Sequence, residues 1–276
     1  MNIPFLKMHG AGNDFVVIDR REGESLAPHL AVQLADRRFG VGCDQVVVLE
    51  RSDNADCFMR LYNADSSEAR ACGNATRCVA SLVMEEKNCA EVTIETLAGV
   101  LSAVRADKGI TVNMGEPKWE WRDIPLSESR NTLHLGLQEG ALMDPVAVAI
   151  GNPHMIFFVR DIAQVDLAKA GLALEHHPLF LQRVNVSVVQ VIDETHLKMR
   201  TFERGAGLTL ACGSAACASV VAAVRRGLAA RNAQVDVPGG TLFIEWVTNS
   251  ENNGHVLMTG PAAHVFSGVI DLADVS

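Results

Sequence analysis

Short apolar runs, alternating or rich in β-branched residues, recur along the whole chain and predict a protein built mainly of strands. In the first half they fall at 15–18, 46–49, 58–62 and 92–96, and in the second at 146–150, 156–159, 184–192 and 242–246. Residues 26–38 carry a helical amphipathic pattern. Two further predicted helices, 73–87 and 213–228, each start directly after a cysteine. The second, with Ala215, Ala216, Cys217, Ala218, Val220, Val221, Ala222, Ala223 and Val224, has almost no polar face. A helix that is apolar all round is buried all round. The pattern predicts an α+β fold in which each half is a curved sheet or barrel wrapped around one central helix.

The two halves repeat one another. Ala71-Cys72-Gly73-Asn74-Ala75 matches Ala211-Cys212-Gly213-Ser214-Ala215 at an offset of 140 residues. Gly12-Asn13 matches Gly151-Asn152 at 139, Gln45 matches Asn185 at 140, and Tyr62-Asn63 matches Phe202-Glu203 at 140. Ala98-Gly99 matches Gly239-Gly240 at 141, and Met114 to Pro117 resembles Thr259 to Pro261 at 145. Matches in order at nearly constant spacing mark a duplication. The expected organisation is two homologous, pseudo-symmetric domains, 1–118 and 119–261. A tail, 262–276, is expected to pack back on the first, and the active site is expected in the cleft between the domains.

Composition narrows the function. The 276 residues suffice for two domains, and 48% apolar with 21% charged residues is the balance of a globular enzyme. A net charge of -9 argues against nucleic acid and against an anionic membrane face, both of which need a basic surface. No apolar run has the length of a membrane span, and the first residues do not read as a signal peptide. Seven cysteines are too few and too scattered for a disulfide scaffold, so reduced thiols and a cytoplasmic location are expected. Cys72 and Cys78 stand six apart, and no Cys/His cluster has zinc spacing, so no metal is expected.

The duplicated cysteines carry the chemistry. A helix N-terminus presents unpaired N–H groups and a partial positive charge, which lower a thiol pKa and hold carboxylates. Gly73 and Gly213 let the backbone approach such a ligand. Two such helix starts facing one amino-acid carboxylate would set one sulfur on each side of its α-carbon. One thiolate then removes the α-proton and the opposite thiol protonates the other face. No motif for pyridoxal phosphate is present, so a cofactor-free epimerase is expected.

Six segments together resemble diaminopimelate epimerases: Met8-His9-Gly10-Ala11-Gly12-Asn13-Asp14-Phe15, Asn63-Ala64-Asp65-Ser66-Ser67-Glu68, Cys72-Gly73-Asn74, Gly151-Asn152-Pro153-His154, Glu203-Arg204-Gly205-Ala206-Gly207 and Ala211-Cys212-Gly213-Ser214. The resemblance runs in order from residue 7 to about residue 268. It implies interconversion of LL- and meso-diaminopimelate, on the route to lysine and cell-wall peptide, by a homodimer without cofactor. It implies that Cys72 and Cys212 are the catalytic pair, written as proton donor and acceptor, with His154 and Glu203 tuning the thiols. Asn13, Gln45, Asn63, Asn152, Asn185, Glu203 and Arg204 are implied substrate ligands. Gly73-Asn74 and Gly213-Ser214 are implied hydrogen-bond donors. Carboxamides suit a substrate with two carboxylates and two amines, and Arg204 suits its distal carboxylate. Ser66, Ala75, Ala215, Leu208 and Leu210 depart from the commonest family pattern but leave these groups intact.

Other conspicuous residues have plainer readings. Cys57, Cys78, Cys89 and Cys217 are expected in the core. His176-His177 reads as an exposed helix end, and 121–131 as a solvated connection. Rival readings are a related racemase of proline or hydroxyproline, an isomerase-like relative without thiol chemistry, and a thiol redox or ligand-binding protein in which Cys72 and Cys212 form a disulfide.

Overall fold

A computed structural model describes residues 2–248 and 254–271; the last five residues of the expected tail lie outside the described residues. The chain divides into two units, Met1–Val112 with Gly260–Ser276, and Asn113–Thr259. Each contains a sheet with one helix on either face.

In the first unit, β1 (Asn2–Gly10) and β2 (Asn13–Asp19) form an antiparallel hairpin. Helix α1 (Pro28–Ala35) leads to β3 (Gln45–Glu50), which runs parallel to β2. β4 (Cys57–Asn63) returns antiparallel to β3 and pairs with the short β5 (Glu68–Ala69). Helix α2 (Gly73–Lys87) follows. β6 (Glu91–Thr96) then lies parallel to β4 and continues through antiparallel turns into β7 (Gly99–Ala106) and β8 (Gly109–Asn113). α1 is shorter than its pattern suggests. Pro28 suits a first turn, where no N–H is needed. At the other end Asp36 leaves the helical region, and its carboxylate accepts from the N–H groups of Arg38 and Phe39.

The apolar run at β3 is continuous because both faces are covered. Val16, Ile18, Val46 and Val48 pack with Leu26, Ala31 and Leu34 beneath α1. Alternation sends Phe15, Val17, Val47 and Leu49, all buried, to the opposite face. α2 packs against β1, β6 and β7.

The second unit begins with β9 (Gln138–Glu139), β10 (Leu142–Met143), β11 (Val146–Ala149) and β12 (Pro153–Phe158). It continues with α3 (Leu167–Glu175), β13 (Asn185–Asp193), β14 (His196–Glu203), β15 (Gly207–Thr209) and α4 (Gly213–Arg225). It ends with β16 (Asn232–Val237), β17 (Gly240–Trp246) and β18 (Val256–Gly260). The pairing grammar of the first unit recurs. β12 and β13 are parallel, β13 and β14 antiparallel, β15 closes on β14, β16 is parallel to β14, and β17 returns on β16. α4 packs against β11, β12, β13, β14, β16 and β17, which accounts for its lack of a polar face. α3 covers the other face with Leu167, Ala170 and Leu174 over Met155, Phe157, Val186 and Val188. The last strand, β19 (Ala263–Asp271), pairs antiparallel with β1 from Asn2↔Asp271 to His9↔Ala263.

Residues 121–131 are not simply a solvated connection: Ile124 and Leu126 are buried in the second core, and Leu126 bridges to Phe180. Cys57, Cys78 and Cys217 are buried, whereas Cys89 is half-buried just past the end of α2, where its thiol donates to the Glu91 carbonyl. His176 is the exposed cap of α3, as its polar doublet suggests.

Candidate active site

Both cysteines occupy one structural position. Cys72 is the N-cap of α2, with φ −147° and ψ 112°, and Cys212 is the N-cap of α4, with φ −123° and ψ 109°. Each therefore has extended backbone while the residue after it enters a buried helix. Gly73, Asn74 and Ala75 at one helix start, and Gly213 and Ala215 at the other, are buried. Four N–H groups at each start lack partners within the helix, so each start is electropositive.

In the first unit, the first residue of β2 and the first turn of α2 bring side chains together at Cys72. Its thiol donates to Asn13 Oδ1 at 3.7 Å, and Asn74 Nδ2 donates to the same oxygen at 3.1 Å. Asn13 Nδ2 donates to Asp44 Oδ2 at 2.9 Å. Asp44 is held by Arg37 at 2.7 Å, and its N–H donates to Asp14 Oδ1 at 3.1 Å. Asp14 also pairs with Lys7 and Arg37. Burial alone would raise the Asp14 pKa; hydrogen bonds from Arg37 and Lys7 and their charges outweigh it, holding it at about 2. Gln45 and Asn63 face each other across the β3–β4 ladder, with Gln45 Nε2 donating to Asn63 Oδ1 at 2.9 Å. Asn63 Nδ2 donates in turn to Ser67 Oγ at 2.9 Å.

In the second unit, Cys212 is buried with its sulfur 3.5 Å from Ser214 Oγ. Burial pushes its pKa well above the ordinary thiol value, and the neighbouring Glu203 carboxylate pushes it the same way. Ser214 and the Ala215 N–H act in the opposite sense without overcoming these effects. Glu203 accepts from Thr209 Oγ1 at 2.5 Å across the β14–β15 pair. His154 is fully buried, with Nε2 2.7 Å from Asn152 Oδ1 and, among the described residues, no hydrogen-bond partner at Nδ1. Burial, with a smaller contribution from the Arg204 charge, lowers its pKa to about 3, so the ring is neutral. Asn185 lies opposite His154 in the parallel β12–β13 ladder. Its Oδ1 accepts from the Arg204 N–H at 2.8 Å, and its Nδ2 donates to the Pro153 carbonyl at 3.4 Å. The exposed Arg204 guanidinium reaches the Gln182 carbonyl at 2.7 Å.

Within the first unit, then, the structure joins Asn13, Cys72 and Asn74, and separately Gln45 and Asn63. Within the second it joins Asn152 to His154, Asn185 to Arg204, and Glu203 and Ser214 to Cys212. Asp44, Arg77, Ser67 and Thr209 were not anticipated. One signal was readable for Arg77: an arginine in a helix whose neighbours are all apolar or small has to be satisfied inside the protein.

Comparisons with known proteins place the fold in a class first. A hydroxyproline epimerase from Agrobacterium vitis superimposes with a TM-score of 0.73 at 15% identity, covering 99% of this chain and 94% of that one. A PhzF-family phenazine biosynthesis protein from Bacillus anthracis gives 0.71 at 16% identity, covering 98% and 99%. The fold is therefore the duplicated one shared by proline-racemase-like and PhzF-like proteins. The relatives are more specific. A diaminopimelate epimerase from Rhodospirillum centenum is 53% identical over 268 residues, covering 96% of this chain and 91% of the relative. One from Acidiphilium cryptum is 51% identical over 272 residues, covering 98% and 97%. The diaminopimelate epimerase family model matches residues 5–120 and 146–265, one segment for each half. The chain belongs to the diaminopimelate epimerase family, a family of isomerases. Among the described residues no helix is long and apolar enough to cross a membrane.

Proposed function

We propose that this protein interconverts LL- and meso-diaminopimelate with Cys72 and Cys212 as a two-base pair, one thiol addressing each face of the substrate α-carbon. The observation that carries this reading is the equivalence of the two cysteines, each the extended N-cap of the central helix of its unit. The substrate carboxylate is taken by the backbone N–H groups of the two helix starts. When the α-proton leaves, charge accumulates on that carboxylate. Backbone N–H groups aimed at it contribute about 3 kcal/mol of transition-state stabilisation per donor. This supply of donors is what makes a carbonyl cofactor unnecessary.

The thiol roles exchange with reaction direction. Burial and Glu203 favour the protonated form of Cys212 in the free protein. In the direction where Cys212 donates, it is already a thiol. In the reverse direction its proton must leave first, and Glu203 is the acceptor at hand. His154 is neutral, so it takes part as a hydrogen-bonding group rather than as a cation. Asn13, Gln45, Asn63, Asn152, Asn185, Glu203 and Arg204 bind the two amino-acid ends, with Arg204 on the distal carboxylate. Gly73, Asn74, Gly213 and Ser214 supply donors. The same reading makes the protein a cytoplasmic homodimer that supplies meso-diaminopimelate to lysine and peptidoglycan synthesis. The relatives' names favour diaminopimelate over proline or hydroxyproline as substrate.

The test is incubation of the reduced protein with LL-diaminopimelate in D2O, followed by NMR of the α-protons. Conversion to the meso form with deuterium entering one stereocentre is expected. Cys72→Ala and Cys212→Ala should each lower the rate by at least about a hundredfold, the lower end of what positioned acid–base groups contribute. Near-normal turnover in either variant would eliminate the two-base scheme.

A further inference from the structure

Arg77 stands at the head of a chain of hydrogen bonds that ends at the Cys72 thiol. It is fully buried, although guanidinium groups are rarely so. Its Nε donates to the Pro261 carbonyl at 3.2 Å and its Nη2 to Asn74 Oδ1 at 2.9 Å. Asn74 Nδ2 donates to Asn13 Oδ1, and Asn13 Nδ2 donates to Asp44 Oδ2. Asp44 is clamped by Arg37.

The two ends of this chain differ in kind from its middle. A guanidinium only donates, and a carboxylate only accepts. A carboxamide does either, depending on which way it is turned. With Arg77 at one end, Asn74 must present its oxygen to the arginine and its NH2 to Asn13. With Asp44 at the other end, Asn13 must present its NH2 to the carboxylate and its oxygen to Asn74. Both constraints select one orientation for both amides, and in that orientation Asn13 Oδ1 is the atom that meets the Cys72 sulfur.

We propose that Arg77 and Asp44 are positioning residues that fix the polarity of the Asn13 and Asn74 carboxamides, so that an oxygen acceptor, and not an amide donor, is held against the Cys72 thiol. This rests on reading Asn13, Asn74 and Cys72 as site residues. The relay gives the resting Cys72 S–H an acceptor in Asn13 Oδ1; when Cys72 donates, that one proton leaves the oxygen for the substrate carbon, and when Cys72 is the base the proton it takes comes to lie on this acceptor. It also keeps the Asn13 NH2 on Asp44. Gly10 makes room for the relay: a Cβ there would lie 3.0 Å from Arg77 Nη2 and 3.1 Å from the Asn74 carbonyl.

The experiment uses full-length protein labelled with 15N-asparagine. The Asn13 and Asn74 side-chain NH2 resonances are assigned by their loss in Asn13→Ser and Asn74→Ser. Wild type should give one set of signals for each. Either end alone selects the same orientation, so Arg77→Met and Asp44→Asn should each retain one set, and the double variant Arg77→Met/Asp44→Asn should double the signals of both asparagines. Arg77→Lys/Asp44→Asn, which keeps a pure donor, should retain one set. If the variants with methionine do not fold, Arg77→Gln/Asp44→Asn, whose end amides can each donate or accept, replaces them with the same expectation. One set in the folded double variant, or doubling in Arg77→Lys/Asp44→Asn, would overturn the relay. With diaminopimelate, kcat should fall at least tenfold in the double variant while KM changes less than threefold; an equal loss in Arg77→Lys/Asp44→Asn would also count against the relay. A wild-type protein inactive on diaminopimelate but showing the expected amide signals would remove the substrate assignment and leave the relay standing.

Discussion

Glu203 sets its carboxylate against the Cys212 thiol, and a charge that close to a buried sulfur opposes ionisation of that sulfur. Glu203→Gln keeps the shape and removes the charge, so the Cys212 pKa should fall. Each unit of fall raises the thiolate fraction about tenfold below the pKa. In a Cys72→Ala background, iodoacetamide labelling of Cys212 at pH 8, read by mass spectrometry, should accelerate several-fold. A slower or unaltered rate would mean that burial alone governs this thiol.

His154 makes the opposite kind of prediction, an absence of titration. Its ring is fully buried and its pKa lies at about 3, below the 6.5 of a free imidazole. Its NMR ring signals should stay those of a neutral imidazole from pH 9 down to pH 5. The same shift has a consequence for stability. The unfolded chain takes up a proton here below about pH 6.5 and the folded one does not until about pH 3, so this group's contribution is complete above 6.5 and is lost on acidification through that window. His154→Gln should therefore flatten the loss of stability between pH 6.5 and pH 4, measured by urea unfolding. An imidazolium signal in the folded protein at pH 6 would refute the assignment.

Much of the fold and part of the site can be read directly from the residues. The constant offset between the two Cys-Gly pairs announces the duplication, and the apolar helix expected at 213–228, which ends at Arg225, announces its own burial. The strand order was less accessible. Whether β4 pairs in parallel with β6 depends on where the intervening helix places the chain, which no local period records. Of helix α3 only its exposed end at His176-His177 is legible, because its buried apolar stripe is only Leu167, Ala170, Gly171 and Leu174, with Leu172 exposed between them. The polar surroundings of the cysteines were the least legible. Asn13 stands 31 residues from Asp44, 59 from Cys72 and 61 from Asn74, and only tertiary folding brings such groups within hydrogen-bonding reach.

The turn between β4 and β5 carries local strain that can be removed. Ser66 sits at φ 67°, in the left-handed region, where L-residues other than glycine are disfavoured by about 1–2 kcal/mol. Its N–H donates to the Asn63 carbonyl at 3.0 Å, so the turn supports an implied substrate ligand. Ser66→Gly should relieve the strain, less the extra chain entropy that glycine brings to the unfolded state. A net gain of about 0.5–1 kcal/mol in urea unfolding is expected, and Ser66→Ala should give none. Loss of stability in the glycine variant would show that contacts of the serine outweigh its backbone cost.

Gly171 poses the reverse case, in which a change favoured by helix propensity should be harmful. Alanine is better than glycine inside a helix by about 1 kcal/mol. At Gly171 in α3, however, a Cβ would stand 2.2 Å from Phe202 Cγ and 2.6 Å from its Cβ. Those are atoms at the root of a ring buried in the second core, and they cannot swing aside as a chain end would. Either α3 lifts from the sheet or β14 moves. Overpacking of this kind costs about 1–3 kcal/mol, which exceeds the propensity gain. Gly171→Ala should therefore lower the unfolding free energy. Because Glu203 follows Phe202 directly in β14, displacement of the strand should also change the rate at which Cys212 is alkylated. A Gly171→Ala protein as stable as the parent would mean that the α3–β14 packing yields more easily than the geometry allows.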